Sequence, residues 1–350
     1  MQRMNSPIKI GIIGAGQNTQ KVHIPKFREI PNAEILEVAN RTPESTREVA
    51  EKFNIPNPRN SWQEVAASKE TDAVLIGTWP YLHCEATCKA LESGKHVLCE
   101  ARMAMDHHEA QKMVQASRKR PELITQLVPA PFTLKFDKTI SRYIRQNKLG
   151  QLLYLQANYQ SESLAAPDGK LHWRRNKKYT GVNTMVLGII YESILRWLPP
   201  AKWVVAVGKV FNKTAIDPDS GESVNIEVPD YLSVEMELAN GMSGNILISE
   251  AAAHSELPMI LIFGDQGILK MEFKMNGKIW YGARSDPQVS EIRIPSEDEG
   301  ACRVEEEFIG AIRGKEKIKL TSFEAGLEYM KFTEAVIHSC QNANIKVSLD

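Results

Sequence analysis

Residues 8–25 read IKIGIIGAGQNTQKVHIP, and this stretch decides the fold. An apolar run (Ile8, Ile10, Ile12, Ile13) meets Gly14-Ala15-Gly16, after which polar residues open a helix. That succession predicts a buried parallel strand, a tight turn and a helix N terminus. Glycine at 14 and 16 lets the backbone turn sharply and lets a bulky anion approach the main chain. Exposed N–H groups and the helix dipole there favour a pyrophosphate. The expected ligand is a dinucleotide, held by Gly14, Gly16, Gln17 and Asn18. Thr19 replaces the third glycine of G-x-G-x-x-G, so the glycines alone also fit a plain strand-to-helix turn.

A second apolar strand, Glu34 to Ala39, follows about 20 residues on, where an acidic residue usually reads the ribose hydroxyls. Here that place holds Asn40-Arg41-Thr42. A carboxylate would repel a 2′-phosphate, whereas a guanidinium grips one bidentately, so the expected cofactor is NADP, with NAD as the alternative.

A chain of 350 residues suggests two domains with a core each. Lys plus Arg equals Asp plus Glu at 43 apiece, a balance that leaves no footprint for nucleic acid or an anionic membrane. The five cysteines (Cys84, Cys88, Cys99, Cys302, Cys340) are odd in number and lack disulfide or zinc spacing. Reduced thiols of a cytoplasmic protein without a metal are the expectation. Met1 to Pro7 is too short and polar for a secretion signal, and no apolar run reaches membrane-spanning length.

Strands are expected at Asp72 to Thr78, Lys95 to Glu100 and Leu123 to Val128, alternating with helices at Pro43 to Asn54, after Thr78 and at His107 to Arg118. Gly94 should end the second of these helices and Asp106 cap the third. Alternating strands and helices mean parallel β-α-β units, so residues 1–128 are assigned to a doubly wound Rossmann-type sheet. Ligands of such sheets sit beyond the carboxyl ends of the strands, where Thr78, Trp79, His83 and Glu100 lie. Residues 129–350 read differently. Helices are expected at Phe136 to Asn147, Val182 to Leu198, Glu305 to Arg313 and Ser322 to Gln341. Between them run strands at Leu152 to Gln160, Trp203 to Phe211, Tyr231 to Leu238, Gly244 to Glu250 and Met259 to Phe263, with shorter ones after. Asn240-Gly241 marks a hairpin. The second part is therefore an α+β domain with a largely antiparallel open sheet, one face of which must be covered by helices or by a second subunit.

Several motifs, in order and spacing, are similar to those of the Gfo/Idh/MocA oxidoreductases, which act mostly on sugars, cyclitols and their derivatives. They are Gly11-Ile-Ile-Gly14-Ala-Gly16, His23-Ile-Pro25, Asn40-Arg41-Thr42-Pro43-Glu44, Thr78 with Leu82-His83, Ala90 to Glu100, Leu149-Gly150, Trp173-Arg174, and Gly188 with Arg196-Trp197-Leu198. The resemblance implies that Gly14, Gly16, Asn40, Arg41, Thr78, His83 and Glu100 line a nicotinamide site, with Thr42 and Trp79 beside them. It also implies that the second domain supplies the substrate side and the surface of a homodimer or homotetramer. The departures bear on function. Where the family usually reads Glu-Lys-Pro this chain has Glu100-Ala101-Arg102, and its usual helix aspartate and histidine fall at Val186 and Ile190. Three polar catalytic positions are apolar together.

A hydride transfer at a carbon bearing oxygen needs a proton moved on that oxygen, worth about 10² to 10⁴-fold in rate. Arg102 can hold a carboxylate, a phosphate or a developing oxyanion, though an arginine there also fits a cofactor phosphate or a surface acid. His172, in the run His172-Trp173-Arg174-Arg175, titrates near neutrality and is the best-suited proton carrier. Trp173 can stack on a sugar or nicotinamide face, Arg174 and Asn183 can bind substrate, and Tyr191 can donate a proton if its pKa is lowered. Helix capping or packing accounts for Asn183 and Tyr191 more readily than a role on substrate. Three functions are open: an NAD(P)-dependent oxidoreductase for a polyhydroxylated small molecule with a non-standard acid/base set; a lyase, hydrolase or epimerase that retains its nicotinamide without net redox; and a non-catalytic binder of a nucleotide or sugar derivative.

Overall fold

The computed structural model describes residues 6–163, 169–252 and 254–349. Most of the Met1–Pro7 segment, on which the expectation of no leader rests, lies outside them. The chain forms two compact units, Met1–Pro129 with Arg303–Leu327, and Ala130–Cys302 with Glu328–Asp350. The leading stretch of the first unit ends at Pro129, and the 303–327 segment, assigned from the sequence to the second domain, clusters with that unit.

The first unit is built on six parallel strands: β1 (Ile8–Ile13), β2 (Ala33–Ala39), β3 (Asn57–Pro58), β4 (Ala73–Ile76), β5 (His96–Cys99) and β6 (Thr125–Leu127). Their order is β3-β2-β1-β4-β5-β6, the doubly wound arrangement the alternation predicts. Ile10, Ile12, Val74, Leu75, Ile76, Val97 and Leu98 are fully buried, as strands covered on both faces require. The helices are α1 (Ile24–Glu29), α2 (Pro43–Lys52), α3 (Trp62–Ala67), α4 (Pro80–Glu92) and α5 (His107–Arg118). Thr42 caps α2 and Asp106 caps α5, each side chain accepting from the amide three residues on. Gly94, at φ +80°, ends α4. The two-residue β3 is too short to show any alternation in the sequence.

In the second unit, α6 (Asp137–Arg145) precedes β7 (Leu152–Gln160), followed by a 3₁₀ turn (Trp173–Arg175), α7 (Lys177–Thr180) and α8 (Leu187–Leu195). Then come β8 (Ala201–Lys209), a small hairpin of β9 (Thr214–Ile216) and β10 (Ser223–Asn225), β11 (Tyr231–Leu238), β12 (Ser243–Ser249), β13 (Met259–Gly264), β14 (Gly267–Glu272), β15 (Ile279–Ala283) and β16 (Ser290–Glu291). Helices α9 (Val304–Ile312) and α10 (Phe323–Gln341) and the short β17 (Val347–Ser348) close the chain. The large sheet runs β16-β15-β14-β13-β7-β12-β11-β8-β17 and is antiparallel except between β7 and β12. Asn240-Gly241 forms the β11–β12 turn, with Gly241 at φ +83°.

One face of that sheet is buried through Val204, Ala206, Val234, Met236, Ile246 and Ile262. The other mixes polar and apolar side chains, with Val207 and Tyr154 exposed and Tyr154 stacked on Phe263 at 4.1 Å. The helix expected from Val182 begins only at Leu187. Met185 has a left-handed φ of 44°, and residues 181–186 form turns instead. Asn183, expected inside that helix, therefore lies ahead of it in non-helical backbone.

The β1 turn is interlocked with the end of β4. Gly14 lies at φ +82°, and a Cβ there would stand 2.5 Å from Thr78 Cγ2. Gly14→Ala is expected to cost at least about 1 kcal/mol for the left-handed backbone alone, measured as unfolding free energy in urea.

Candidate functional site

A cleft of about 570 Å³ opens beyond the carboxyl ends of β1, β2 and β4 in the first unit. Gly14, Gly16, Asn40, Arg41, Thr78 and Trp79, six of the residues expected on the cofactor, line it, together with Trp62 and Tyr81, which the sequence reading did not single out. Asn40 faces inward: its Oδ1 accepts from Ala15 N at 2.7 Å and its Nδ2 donates to Ser45 O at 3.0 Å, fixing the turn. Arg41 is exposed at the rim. At Gly16 a Cβ would meet only Gly77 O, at 3.7 Å, so protein packing does not demand glycine there. Thr78 Oγ1 is buried without a hydrogen-bond partner in the protein, an acceptor and donor awaiting a ligand. Cleft size, open glycine edge and orphaned hydroxyl fit a dinucleotide.

Other expected cofactor residues lie outside the cleft lining. Gln17 is exposed but does not line the cleft, and Thr42 caps α2. His83 is fully buried, its ring nitrogens 3.0 Å from Thr78 O and 2.9 Å from Arg102 O, so it ties together the segments beyond β4 and β5 instead of facing a ligand. Burial lowers its pKa in spite of those carbonyls.

Asn18, exposed, and Glu100, half-buried, lead into a chain of polar groups that ends on the buried His23 and Glu305. Glu100 Oε1 accepts from Asn18 Nδ2 at 2.5 Å and from His23 Nε2 at 2.9 Å, and Oε2 accepts from Ala101 N at 3.2 Å. His23 Nδ1 donates to Glu305 Oε1 at 2.6 Å, and Lys26 Nζ stands 3.5 Å from Glu305 Oε2. Burial opposes a charge on His23, but the hydrogen bonds to Glu100 and Glu305 outweigh it and hold its pKa up at about 9. Burial likewise works to raise Glu100, and His23 and Asn18 overcome it, leaving that carboxyl below its usual value. His23 and Glu305 were not foreseen as partners. A histidine in the His23-Ile-Pro25 motif was visible, but Glu305 lies 282 residues away and nothing local points to it.

Arg102 is buried, and its carbonyl lies against His83. In the second unit, His172 is exposed at the start of the 3₁₀ turn, its Nδ1 accepting from Arg174 N at 3.2 Å. Burial and then Arg174 lower its pKa, leaving a neutral imidazole at pH 7. The Arg174 guanidinium lies 4.4 Å from the centre of the Trp173 ring. Asn183 is buried and donates to Thr180 O at 2.7 Å, a turn-forming bond. Tyr191 corrects the expectation of a proton donor: its ring stacks on Phe332 at 3.6 Å, and its hydroxyl accepts from Ala201 N at 2.7 Å. Burial pushes its pKa up, the opposite of what proton donation needs.

A doubly wound parallel sheet carrying a glycine-turn cleft, followed by a large mixed sheet, defines a two-unit architecture of Rossmann type with a nucleotide-sized cleft. Residues 8–126 match the family described as "Oxidoreductase family, NAD-binding Rossmann fold", and residues 138–270 match the GFO/IDH/MocA C-terminal domain. The chain belongs to the GFO/IDH/MocA oxidoreductase family. It is similar to levoglucosan dehydrogenase of Pseudarthrobacter phenanthrenivorans, 22% identical over 315 residues that cover 82% of this chain and 78% of that one. It is also similar to inositol 2-dehydrogenase of Burkholderia lata, 23% identical over 288 residues covering 81% and 79% of the two chains. The apo structure of levoglucosan dehydrogenase superposes with a TM-score of 0.86 at 19% identity over 99% of both chains, which shows the shared fold.

The buried His23 sets a pH dependence. A folded-state pKa of about 9 against an ordinary 6.5 means that folded His23 keeps its proton where the unfolded chain has lost it. Its stabilisation is complete below pH 6.5 and is lost as pH rises through 9. The unfolding free energy of the native chain relative to His23→Gln is expected to shrink by roughly 3 kcal/mol across that interval, read from urea denaturation at several pH values.

Proposed function

We propose that the chain is an NAD(P)-dependent dehydrogenase or reductase acting on a sugar, cyclitol or related polyhydroxylated small molecule, with NADP preferred. The single observation that carries the reading is the cleft at the ends of β1, β2 and β4, with its orphaned Thr78 hydroxyl and Arg41 at its rim where a ribose-reading carboxylate would otherwise stand. Family membership and relatives named as dehydrogenases of levoglucosan and inositol support it.

A bound nicotinamide would supply the hydride acceptor or donor. The chain's own residues supply the rest. Asn40 holds the Ala15 amide, Arg41 offers a guanidinium to a 2′-phosphate, and Thr78 Oγ1 offers a hydrogen bond. Among the ionisable candidates, His172 is the proton carrier, a neutral imidazole able to take a proton at pH 7. Arg102 contributes fixed positive charge for an oxyanion, and Trp173 and Arg174 form a stacking and anion-binding pair for substrate. Tyr191 and Asn183, spent on packing and turn formation, have no part.

A second reading is favoured by Ala101, Val186 and Ile190, which strip the usual proton-transfer groups: a retained nicotinamide used without net redox. Incubation with a panel of sugars and sugar acids separates the readings. Stoichiometric growth of reduced-nicotinamide absorbance supports the dehydrogenase, product without absorbance change supports the second reading, and no product leaves a binding protein.

The mixed face of the nine-stranded sheet, with Tyr154, Phe263 and Val207, fits self-association into a homodimer or homotetramer. The five free thiols fit a reducing, cytoplasmic setting.

Arg41→Ala is expected to weaken NADPH by about tenfold and NADH by less than about twofold in fluorescence titration; equal losses would remove the NADP assignment. Gly16→Ala is expected to fold as stably as the native chain yet bind either cofactor about tenfold more weakly, since the added methyl stands at the open edge of the cleft. His172→Gln is expected to leave cofactor affinity unchanged and to lower turnover by about 10²-fold.

A further inference from the structure

The chain Asn18–Glu100–His23–Glu305 lies outside the cleft, yet it ends on the turn that forms it. Asn18 follows Gly16-Gln17 directly and has helical backbone angles, but its side chain does not cap the helix it opens. It turns instead to Glu100. Thr19–His23 winds as a π-helix. On an α-helix, residues five apart would point roughly 140° away from each other. The wider winding brings Asn18 Nδ2 to 3.2 Å from His23 Nε2, both donors converging on one carboxylate oxygen. Such single π turns occur frequently at functional sites.

We propose that His23 is a positioning residue for the dinucleotide: as a cation it holds Glu100 in the orientation that fixes Asn18, and through Asn18 the turn that receives the diphosphate. This inference rests on the nicotinamide-dinucleotide reading. The groups facing His23 come from three other elements: Glu100 beyond β5, Glu305 in the first turn of α9, and Lys26 on α1, which faces the far oxygen of Glu305. His83 acts on Glu100 from α4. When His23 loses its proton, one of its two carboxylates loses a donor. With Nδ1–H kept on the fully buried Glu305, the proton lost is the one on Nε2, and Glu100 is left with Asn18 Nδ2 and Ala101 N alone, so that its side chain and Asn18 can turn together. Glu305 is the distal anchor, acting on the turn only through His23.

The test is fluorescence titration of NADPH and NADH into the full chain from about pH 7.5 to 10, with melting curves recorded on every variant. The native chain is expected to bind with a constant Kd up to about pH 8 and about tenfold more weakly above pH 9.5. His23→Gln is expected to bind about tenfold more weakly at pH 7.5 and with no further loss at high pH. Glu305→Gln, which removes one of the carboxylates that hold the proton, is expected to move the loss of affinity to lower pH by about one unit. A folded His23→Gln chain that binds with the native Kd and pH profile overturns the inference. Should that variant not fold, a Glu305→Gln profile with an unmoved midpoint does so instead. If the native chain binds neither cofactor at any pH, the cofactor reading fails and takes this inference with it, whereas binding indifferent to His23 overturns this inference alone.

Discussion

A buried imidazolium shared by two carboxylates constrains the first unit more than any other contact. Removing an ion from water costs several kcal/mol, so His23, Glu100 and Glu305 are tolerated only because each satisfies the others. Lys26 brings the local sum of charge to zero. The first turn of α9 lowers the cost of Glu305, since the positive end of the helix dipole lies there. Glu307, two residues on, accepts from Gln126 Nε2 and from the amides of Lys319 and Leu320. Through these two glutamates, a segment more than 170 residues beyond β6 becomes part of the Rossmann unit. The same imidazole reaches the other way, through Glu100, to the turn after β1.

That turn is doubly fixed. From the sheet side, Gly14 and Gly77 pack so closely that a Cβ on either would collide with its neighbours: Thr78 in the first case, Thr19 Oγ1 and Gly14 O in the second. From the outer side, Asn40 and Asn18 hold its two ends through Ala15 N and Glu100 Oε1. Gly16, between them, is the exception, with room beside it that the protein does not fill. Rigid flanks and one open glycine are what close approach of a diphosphate to backbone amides requires, because any ordering left to be done at binding subtracts from affinity. The replacement of the third fingerprint glycine by Thr19 fits this view, since its hydroxyl donates to Gly14 O at 3.3 Å and ties the helix start back onto the turn.

What could be read from the chain alone follows from the range of the interactions involved. The β1 turn, the Asp106 cap, the Gly94 stop and the Asn240-Gly241 hairpin are local events, decided within a few residues, and each is legible. The six cleft-lining residues are legible for the same reason, being attached to the ends of readable strands. The two-residue β3 and the β9–β10 hairpin carry too few residues for a period to show. The start of α8 is misread because Leu, Val and Met near it suit a helix, while a left-handed Met185 is a tertiary outcome that propensity does not announce. Tyr191 and Glu100 mislead in a different way. Each is a chemically capable side chain whose capacity is consumed by a distant partner, Phe332 and Ala201 for the one, His23 and Asn18 for the other.

That consumption narrows the acid/base question. A general base works best with a pKa near the operating pH. Glu100 is held below the ordinary carboxylate value and already accepts three hydrogen bonds, so it is a weak base with no free orientation to spare. His83 lies wholly inside the first unit, and Tyr191 wholly inside the second, its pKa raised. Arg102 keeps its proton at any working pH. Of the candidates that the sequence offered, His172 alone combines exposure with a pKa shifted downward, so that it is unprotonated at neutral pH and can accept. With Ala101, Val186 and Ile190 unable to ionise, the proton carrier we propose is His172, on the 3₁₀ turn beside Trp173. In that proposal a turn replaces the rigid placement that regular elements provide, and the bond from Arg174 N to His172 Nδ1 orients the imidazole.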